Sequence, residues 1–275
     1  MAVITLTSDI GKQDFLTGAI KGELLQINPN YRIIDISHDL TPFNYPQAGY
    51  MCRSAFKSFP KGTLHIVLIN LFDKKCDHLL LAKHNGQYIG IADNGLITMI
   101  LEQMPEQVVS IPIKEGTRKN VLSLVKVFAH AFEQVLDEKE LDEIGNPEIE
   151  IEVKNPLKPK QGPQYLEGQI LFVDHFENVI INITRKEFEE HGKGRKFKIL
   201  FTRDAMIDKI SETYGDVPES EKLALFNAAD YLEIAVNKGN AAGLFGLEGY
   251  VDDRNSRSEY LQNRLLYQTV KILFE

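Results

Sequence analysis

The sequence is short of positive charge. Its 31 Lys and Arg residues stand against 39 Asp and Glu, a net charge of -8 at pH 7. An acidic chain repels phosphate backbones, which argues against nucleic acid as a main partner. Long apolar runs are also missing. None approaches the roughly 18 residues that a membrane-spanning helix needs, so no membrane partner is expected. Cysteine is scarce: Cys52 and Cys76 sit in no CxxC or CxxH arrangement. They offer no zinc site and are expected as free, packed thiols. Met1-Ala2 leads straight into a β-branched run at 3–7, with no basic, apolar or cleavage region of an export signal. The expected location is the cytoplasm.

Several catalytic signatures are absent as well. There is no GxGxxG, no GxxxxGK[ST] and no GxSxG, so dinucleotide, P-loop and α/β-hydrolase chemistry lack their motifs. The seven histidines form no HExxH or similar spacing. No metal is expected.

What is present is ordinary globular composition: 275 residues, 43% hydrophobic and 25% charged, enough for one large domain or two moderate ones. The first part alternates strands and helices. Strands are predicted at 3–7, 32–36, 64–69, 79–82, 88–91 and 108–113. Helices are predicted at 15–27, 47–59, Leu96–Leu101 and Val121–Leu136. The apolar run at 64–69 suits a central strand buried on both faces. Asn85-Gly86 is a two-residue hairpin signal. This alternation predicts an α/β sheet with helices on both faces. The acidic stretch 137–152 reads as a solvated face. A Pro-rich segment, Asn155 to Pro163, is the best linker. Beyond it the predicted elements are mostly strands, at 169–173, 179–183, 196–201, Tyr231–Val236 and Thr269–Phe274. The expected division is an α/β domain over 1–155, a linker over 156–165 and a smaller β-barrel domain over 166–275.

Three places draw attention for chemistry. Asp9 follows the first strand, where open α/β sheets bind ligands. Its carboxylate either accepts from both hydroxyls of a vicinal diol or caps the next helix. Asp93-Asn94-Gly95 reads as a turn that caps the helix at Leu96. Asp174-His175-Phe176-Glu177-Asn178 lies between two strands. It is either a turn or a purine site, with a buried aromatic stacking on the base and an Asn amide bonding its edge.

In order and spacing, these stretches resemble the S-adenosyl-L-methionine hydrolases, or SAM hydroxide adenosyltransferases, which are relatives of the fluorinase and chlorinase. The resemblance spans nearly the whole chain. It rests on Thr7-Ser8-Asp9-Ile10-Gly11, Gly18-Ala19-Ile20-Lys21-Gly22, Ile27-Asn28-Pro29, Ile34-Asp35-Ile36-Ser37-His38 with Thr41-Pro42, Phe59-Pro60-Lys61-Gly62-Thr63, and Gly90-Ile91-Ala92-Asp93-Asn94-Gly95. In the second half it rests on Asp174 through Ile183 and Tyr231 through Asn237. It implies an α/β domain plus a β-barrel domain, and a homotrimer with the ligand between subunits. S-adenosyl-L-methionine would be substrate or ligand, with no separate cofactor. By residue, it implies Asp9 on the ribose hydroxyls, Phe43 against the nucleoside, Asp174 on the methionine amino group, and Phe176 and Asn178 on adenine.

The sequence departs from that family at the water-activating groups. The family strand ends Val-Asp-Pro-Gly-Val-Gly-Thr and an arginine pair follows. Here the chain reads Leu68-Ile69-Asn70-Leu71-Phe72-Asp73-Lys74-Lys75-Cys76-Asp77-His78. The catalytic Asp position is Asn70 and the Arg position is Asp77. The family's Thr-Phe-His segment is Thr117-Arg118-Lys119, so Lys119 takes the His position, a register supported by His130. The Asn-Ser pair on the methionine carboxylate is Asn227-Ala228. Water has a pKa near 15.7 and needs a positioned base or cation to attack a ribose carbon. Asp77 and His78 are either a substitute base pair or exposed loop residues. Two functions follow: hydrolysis to adenosine and methionine by altered groups, or a degenerate homologue that binds SAM or adenosine as sensor or scavenger.

Overall fold

The structure, a computed structural model, describes residues 2–201, 206–247 and 268–275. Contacts divide the chain into two units, Met1–Pro156 and Leu157–Glu275. Among the described residues no helix is long and apolar enough to cross a membrane.

The first unit runs β1 (Val3–Ser8), α1 (Leu16–Ile27), β2 (Arg32–Ser37), α2 (Tyr45–Phe56), β3 (Leu64–Leu68), β4 (His78–His84), β5 (Gln87–Ile91), α3 (Leu96–Leu101), β6 (Gln107–Pro112), α4 (Val121–Leu136) and α5 (Leu141–Ile144). Its sheet has the order β2-β1-β3-β5-β4-β6. β1, β2, β3 and β5 are parallel, and β4 lies antiparallel between β5 and β6. β3 explains the layering. Leu64, Ile66 and Leu68 face one core with α1 and α4, while Val67 and the following Ile69 face a second core with α2 and α3. Alternate residues of a strand point to opposite faces, so a wholly apolar strand must be covered twice. The expected helices on both faces are thus present.

Boundaries differ in informative ways. α2 starts two residues before the predicted 47–59, because the Asn44 side chain accepts from the Gln47 N–H and Pro46 fits the first turn. It stops at Phe56, three residues short. The β4–β5 turn places Asn85 and Gly86 at φ 51° and 75°, the two left-handed positions of a type I′ hairpin. The acidic stretch is more than a solvated face: Leu141 and Ile151 are buried in the two cores.

The second unit runs β7 (Lys160–Gly162), β8 (Tyr165–Val173), β9 (Val179–Thr184), α6 (Arg185–Gly192), β10 (Phe197–Leu200), β11 (Met206–Ile207), β12 (Lys222–Phe226), β13 (Tyr231–Val236), α7 (Ala241–Leu244) and β14 (Thr269–Phe274). The strand order is β11-β10-β14-β8-β9-β13-β12, with β7 paired to β8. An isolated bridge from Ile210, just past β11, to Ala224 of β12 links the two ends of that order. The sheet therefore nearly closes into a barrel around Leu166, Ile181, Ile183, Leu232 and Ile272. Lys160–Gly162 falls within the proline-rich segment expected to be linker, yet pairs as a strand with β8.

Candidate functional site

In the first unit the chain leaves β1 to one side for β2 and returns on the other as β3. Such a reversal of strand order opens a crevice beyond the carboxyl ends of the strands. Asp9 stands there, one residue past β1, and Asn70 stands two residues past β3. The Asp9 Oδ2 accepts the Asn70 backbone N–H at 2.9 Å. The Asn70 Oδ1 in turn accepts the Phe43 N–H at 2.9 Å. Three residues separated by up to 61 positions are thereby tied together. Asn70 and Phe43 both have positive φ, 47° and 62°. Non-glycine residues adopt that region at a cost, and the two hydrogen bonds help hold them in it.

Asp9 is not a helix cap. α1 begins at Leu16, whose N–H goes to the Asp14 carboxylate at 2.8 Å. Asp9 is instead set by its neighbours. The Ser8 hydroxyl and His38 Nδ1 are hydrogen-bonded at 2.7 Å, and the Gly11 N–H donates to the His38 carbonyl at 2.7 Å. His38 therefore grips the turn on both sides of Asp9. Its Nε2 lies 3.1 Å from Asp35, which pairs with Lys21. Burial pushes the Asp9 carboxyl above the usual carboxylate range, against the lowering effect of the Asn70 N–H and its own N–H.

Around this trio is a cleft of about 300 Å³, lined by Asp9, Pro42, Phe43, Asn70, Phe72 and Asp73 among others. Phe43 is 67% exposed and Phe72 48%. Asn70 is buried to 7% exposure, and its amide Nδ2 makes no hydrogen bond of regular geometry, its nearest polar neighbour being the Tyr45 hydroxyl. A buried amide without a regular hydrogen bond carries a cost that a ligand acceptor would remove.

A second cavity, of about 540 Å³, shares Asn70 and Leu71 with the first and includes Lys74, Cys76, His78, Asp93 and Glu152. His78 Nε2 bonds the Asp93 carboxylate at 3.1 Å. The other Asp93 oxygen accepts the Glu152 N–H at 2.8 Å. The turn role expected for Asp93-Asn94-Gly95 belongs to Asn94, whose Oδ1 accepts the Leu96 N–H, while Asp93 is directed at His78. Asp77 does not pair with His78. It meets Lys75 at 3.0 Å and Lys119 at 3.2 Å. These lysines hold its carboxyl below the usual range. Positions 77 and 119, read from sequence as equivalents of an Arg and a His, do meet in space, here as an ion pair of Asp and Lys. Among the described residues no group of three His, Cys, Asp or Glu side chains is arranged for a metal.

In the second unit, the Asp174–Asn178 segment is a tight turn between β8 and β9. Asp174 Oδ1 accepts the Phe176 and Asn178 N–H groups, and its Oδ2 accepts the Asn178 amide at 3.1 Å. Asn178 is buried, but Phe176 is 74% exposed rather than buried. An aromatic ring standing in solvent on a rigid turn is a stacking surface. Glu233 was not singled out by sequence. It is buried in β13, accepts the Tyr214 hydroxyl at 2.8 Å, and is pushed upward in pKa by burial. The signal was available: it is the single charged residue in the run Tyr231–Val236.

Comparisons with known proteins bear on both units. Residues 4–145 match the SAM hydroxide adenosyltransferase N-terminal domain, and residues 168–251 match the C-terminal domain of the same name. The chain is 24% identical to an (R)-S-adenosyl-L-methionine hydrolase of Methanocaldococcus jannaschii, over 91% of this chain and 94% of that one. It is 26% identical to the protein of that name from Thermus thermophilus, over 90% and 97%. It is 22% identical to a fluorinase of Actinoplanes, over 90% and 94%. An uncharacterized conserved protein from Thermotoga maritima has the same fold, with a TM-score of 0.76 at 23% identity, over 98% of this chain and 99% of that one.

Proposed function

The chain belongs to the SAM hydroxide adenosyltransferase family, and from that premise we propose that it binds S-adenosyl-L-methionine in the Asp9 cleft and transfers its adenosyl group to water. In that reaction a water oxygen bonds to the ribose 5′ carbon as the carbon–sulfur bond breaks. Sulfur keeps the bonding pair, so adenosine, methionine and a proton result. The observation that carries the reading is the Asp9–Asn70–Phe43 trio at the β1/β3 crevice. It offers a carboxylate for a vicinal diol, an amide N–H open to a ligand oxygen, and an exposed phenyl ring for the nucleoside.

On this reading Asp174, Phe176 and Asn178 belong to the same ligand site, with Phe176 stacking on adenine. The site is completed between subunits of a homotrimer. The ligand-binding half is intact, whereas the water-activating half is rebuilt. An amide at position 70 cannot take a proton, and Asp77 is committed to two lysines. Turnover is therefore slow. That same Asp77–Lys119 pair favours the second reading, a homologue that binds adenosine or S-adenosyl-L-methionine without cleaving it.

Two assays test the proposal: calorimetric titration with adenosine, and release of adenosine and methionine from S-adenosyl-L-methionine over hours. Binding with slow release supports it. Binding without release leaves the second reading. Absence of adenosine binding refutes both.

A further inference from the structure

The Asp9 cleft carries more negative charge than a ribose diol requires. Asp73 lines it together with Asp9, and among the described residues its lining contains no Lys, Arg or His. Two features fix Asp73 there. Its N–H donates to the Asn70 carbonyl at 3.1 Å, closing a turn with Asn70 at one end and Asp73 at the other. Its Oδ2 accepts the Tyr45 hydroxyl at 2.9 Å. Tyr45 is itself held under Lys154, whose Nζ lies 4.4 Å from the ring centre and donates to the Asn94 carbonyl. The neighbouring Lys74 is engaged with Glu152 at 2.9 Å. Beside Asp73 stand the exposed rings of Phe43 and Phe72. The cleft also holds the buried Nδ2 of Asn70, which makes no hydrogen bond of regular geometry and has only the Tyr45 hydroxyl near it, so it is open to a ligand oxygen at this place.

Two carboxylates, two phenyl rings and, among the described residues, no cation in the lining make a site for a positively charged ligand that also carries a diol. A sulfonium has no N–H to donate, so it is held by Coulomb attraction and by aromatic faces. Its neutral thioether counterpart gains neither. We propose that Asp73, with the Phe43 and Phe72 rings, makes this cleft select a sulfonium nucleoside over the corresponding thioether nucleoside. The inference rests on the function proposed above and names the group that sets its specificity. Asp73 is exposed, so its substitution leaves the cores untouched.

The test is titration of the full chain, and of Asp73→Asn, with S-adenosyl-L-methionine, S-adenosyl-L-homocysteine and adenosine. The wild type is expected to prefer the sulfonium over the thioether by about tenfold, the sum of a partly exposed ion pair and a cation–π contact. In Asp73→Asn that ratio is expected to fall to about two- or threefold. Equal losses for sulfonium and thioether ligands would mean that Asp73 holds the amino group that both carry, and would overturn the proposal. An unchanged ratio would overturn it too. If adenosine does not bind the wild type at all, the ligand site itself is wrong, a failure distinguishable from a wrong role for Asp73.

Discussion

Removing the Asp9 charge should separate binding from stability. Asp9→Asn keeps a side-chain oxygen that can accept the Asn70 N–H, now 2.9 Å away, and so preserves the tie between β1 and β3. It removes a half-buried charge whose pKa burial has raised. A carboxyl with a raised folded-state pKa binds more protons folded than unfolded between its two pKa values. Stability is then lost as pH rises through that window and is lowest above it. At neutral pH the free Asp9→Asn protein should therefore be at least as resistant to urea as the wild type. Adenosine binding should move the other way. A charge-assisted hydrogen bond contributes roughly 1.5–3 kcal/mol, so weakening the bonds to the diol costs about 10- to 150-fold in affinity. Wild-type affinity should also decline as pH falls through the raised Asp9 pKa. Urea denaturation and calorimetry on the two proteins suffice as assays. A variant that binds adenosine as tightly as the wild type would refute the role of Asp9, and one that is clearly less stable would refute the account of its burial.

Other expectations follow from the same geometry. His65 is buried, stacked on Phe56 at 3.7 Å, bonded to Thr5, and pushed down to about 4 by burial. The unfolded chain then takes up more protons between about pH 6.5 and 4, and stability should fall by about 3 kcal/mol across that window as pH is lowered. Denaturation curves showing no such fall would count against a neutral His65. Gly90→Ala places a Cβ 2.7 Å from the Phe128 ring, so overpacking should cost about 1–3 kcal/mol in urea unfolding. Phe132→Ala, at a fully buried position, should cost about 3–5 kcal/mol. His78 is the one imidazole lining either cavity of the first unit described above. If adenosine is released from S-adenosyl-L-methionine, His78→Ala should slow release at least tenfold, and an unchanged rate would exclude it as the base.

The sequence reveals what is local. β3, α4 and the β4–β5 hairpin are legible because an apolar run, a 3.6-residue period and an Asn-Gly turn each act over a few neighbours. The sequence expectation has no helix at α6 although Thr184 and Glu187 form a capping box, a signal local enough to be read. β12 was missed because Lys222–Phe226 is short and has no turn dipeptide beside it. Asp9 was placed by its position after a strand, but its grip by His38 joins residues 30 apart. Asp73 could not be found at all from sequence. It bonds Tyr45 and lines one cleft with Asp9, and both residues are distant from it in the chain. Asp77 and His78 illustrate the converse. Adjacent in sequence, they face different partners, since successive residues at the start of β4 point apart.

Asn70 and Asp73 are the two ends of one turn and are best considered together. A carboxylate at 70 would sit beside the carboxylate of Asp9, whose pKa burial already raises, and like charges at such range disfavour each other. Asn70 brings no such repulsion and supplies the oxygen that accepts the Phe43 N–H, which helps hold the backbone of both positive-φ residues. A carboxylate stands three residues later on Asp73, at the exposed end of the same turn, fixed by the Tyr45 hydroxyl. The cleft thus holds two carboxylates, Asp9 and Asp73, without placing the second at position 70. A ligand drawn by charge would still be attracted, whereas a water placed at Asn70 would meet a hydrogen-bond donor instead of a base. On the function proposed above, binding and turnover would be separable, because they would depend on different ends of one four-residue turn.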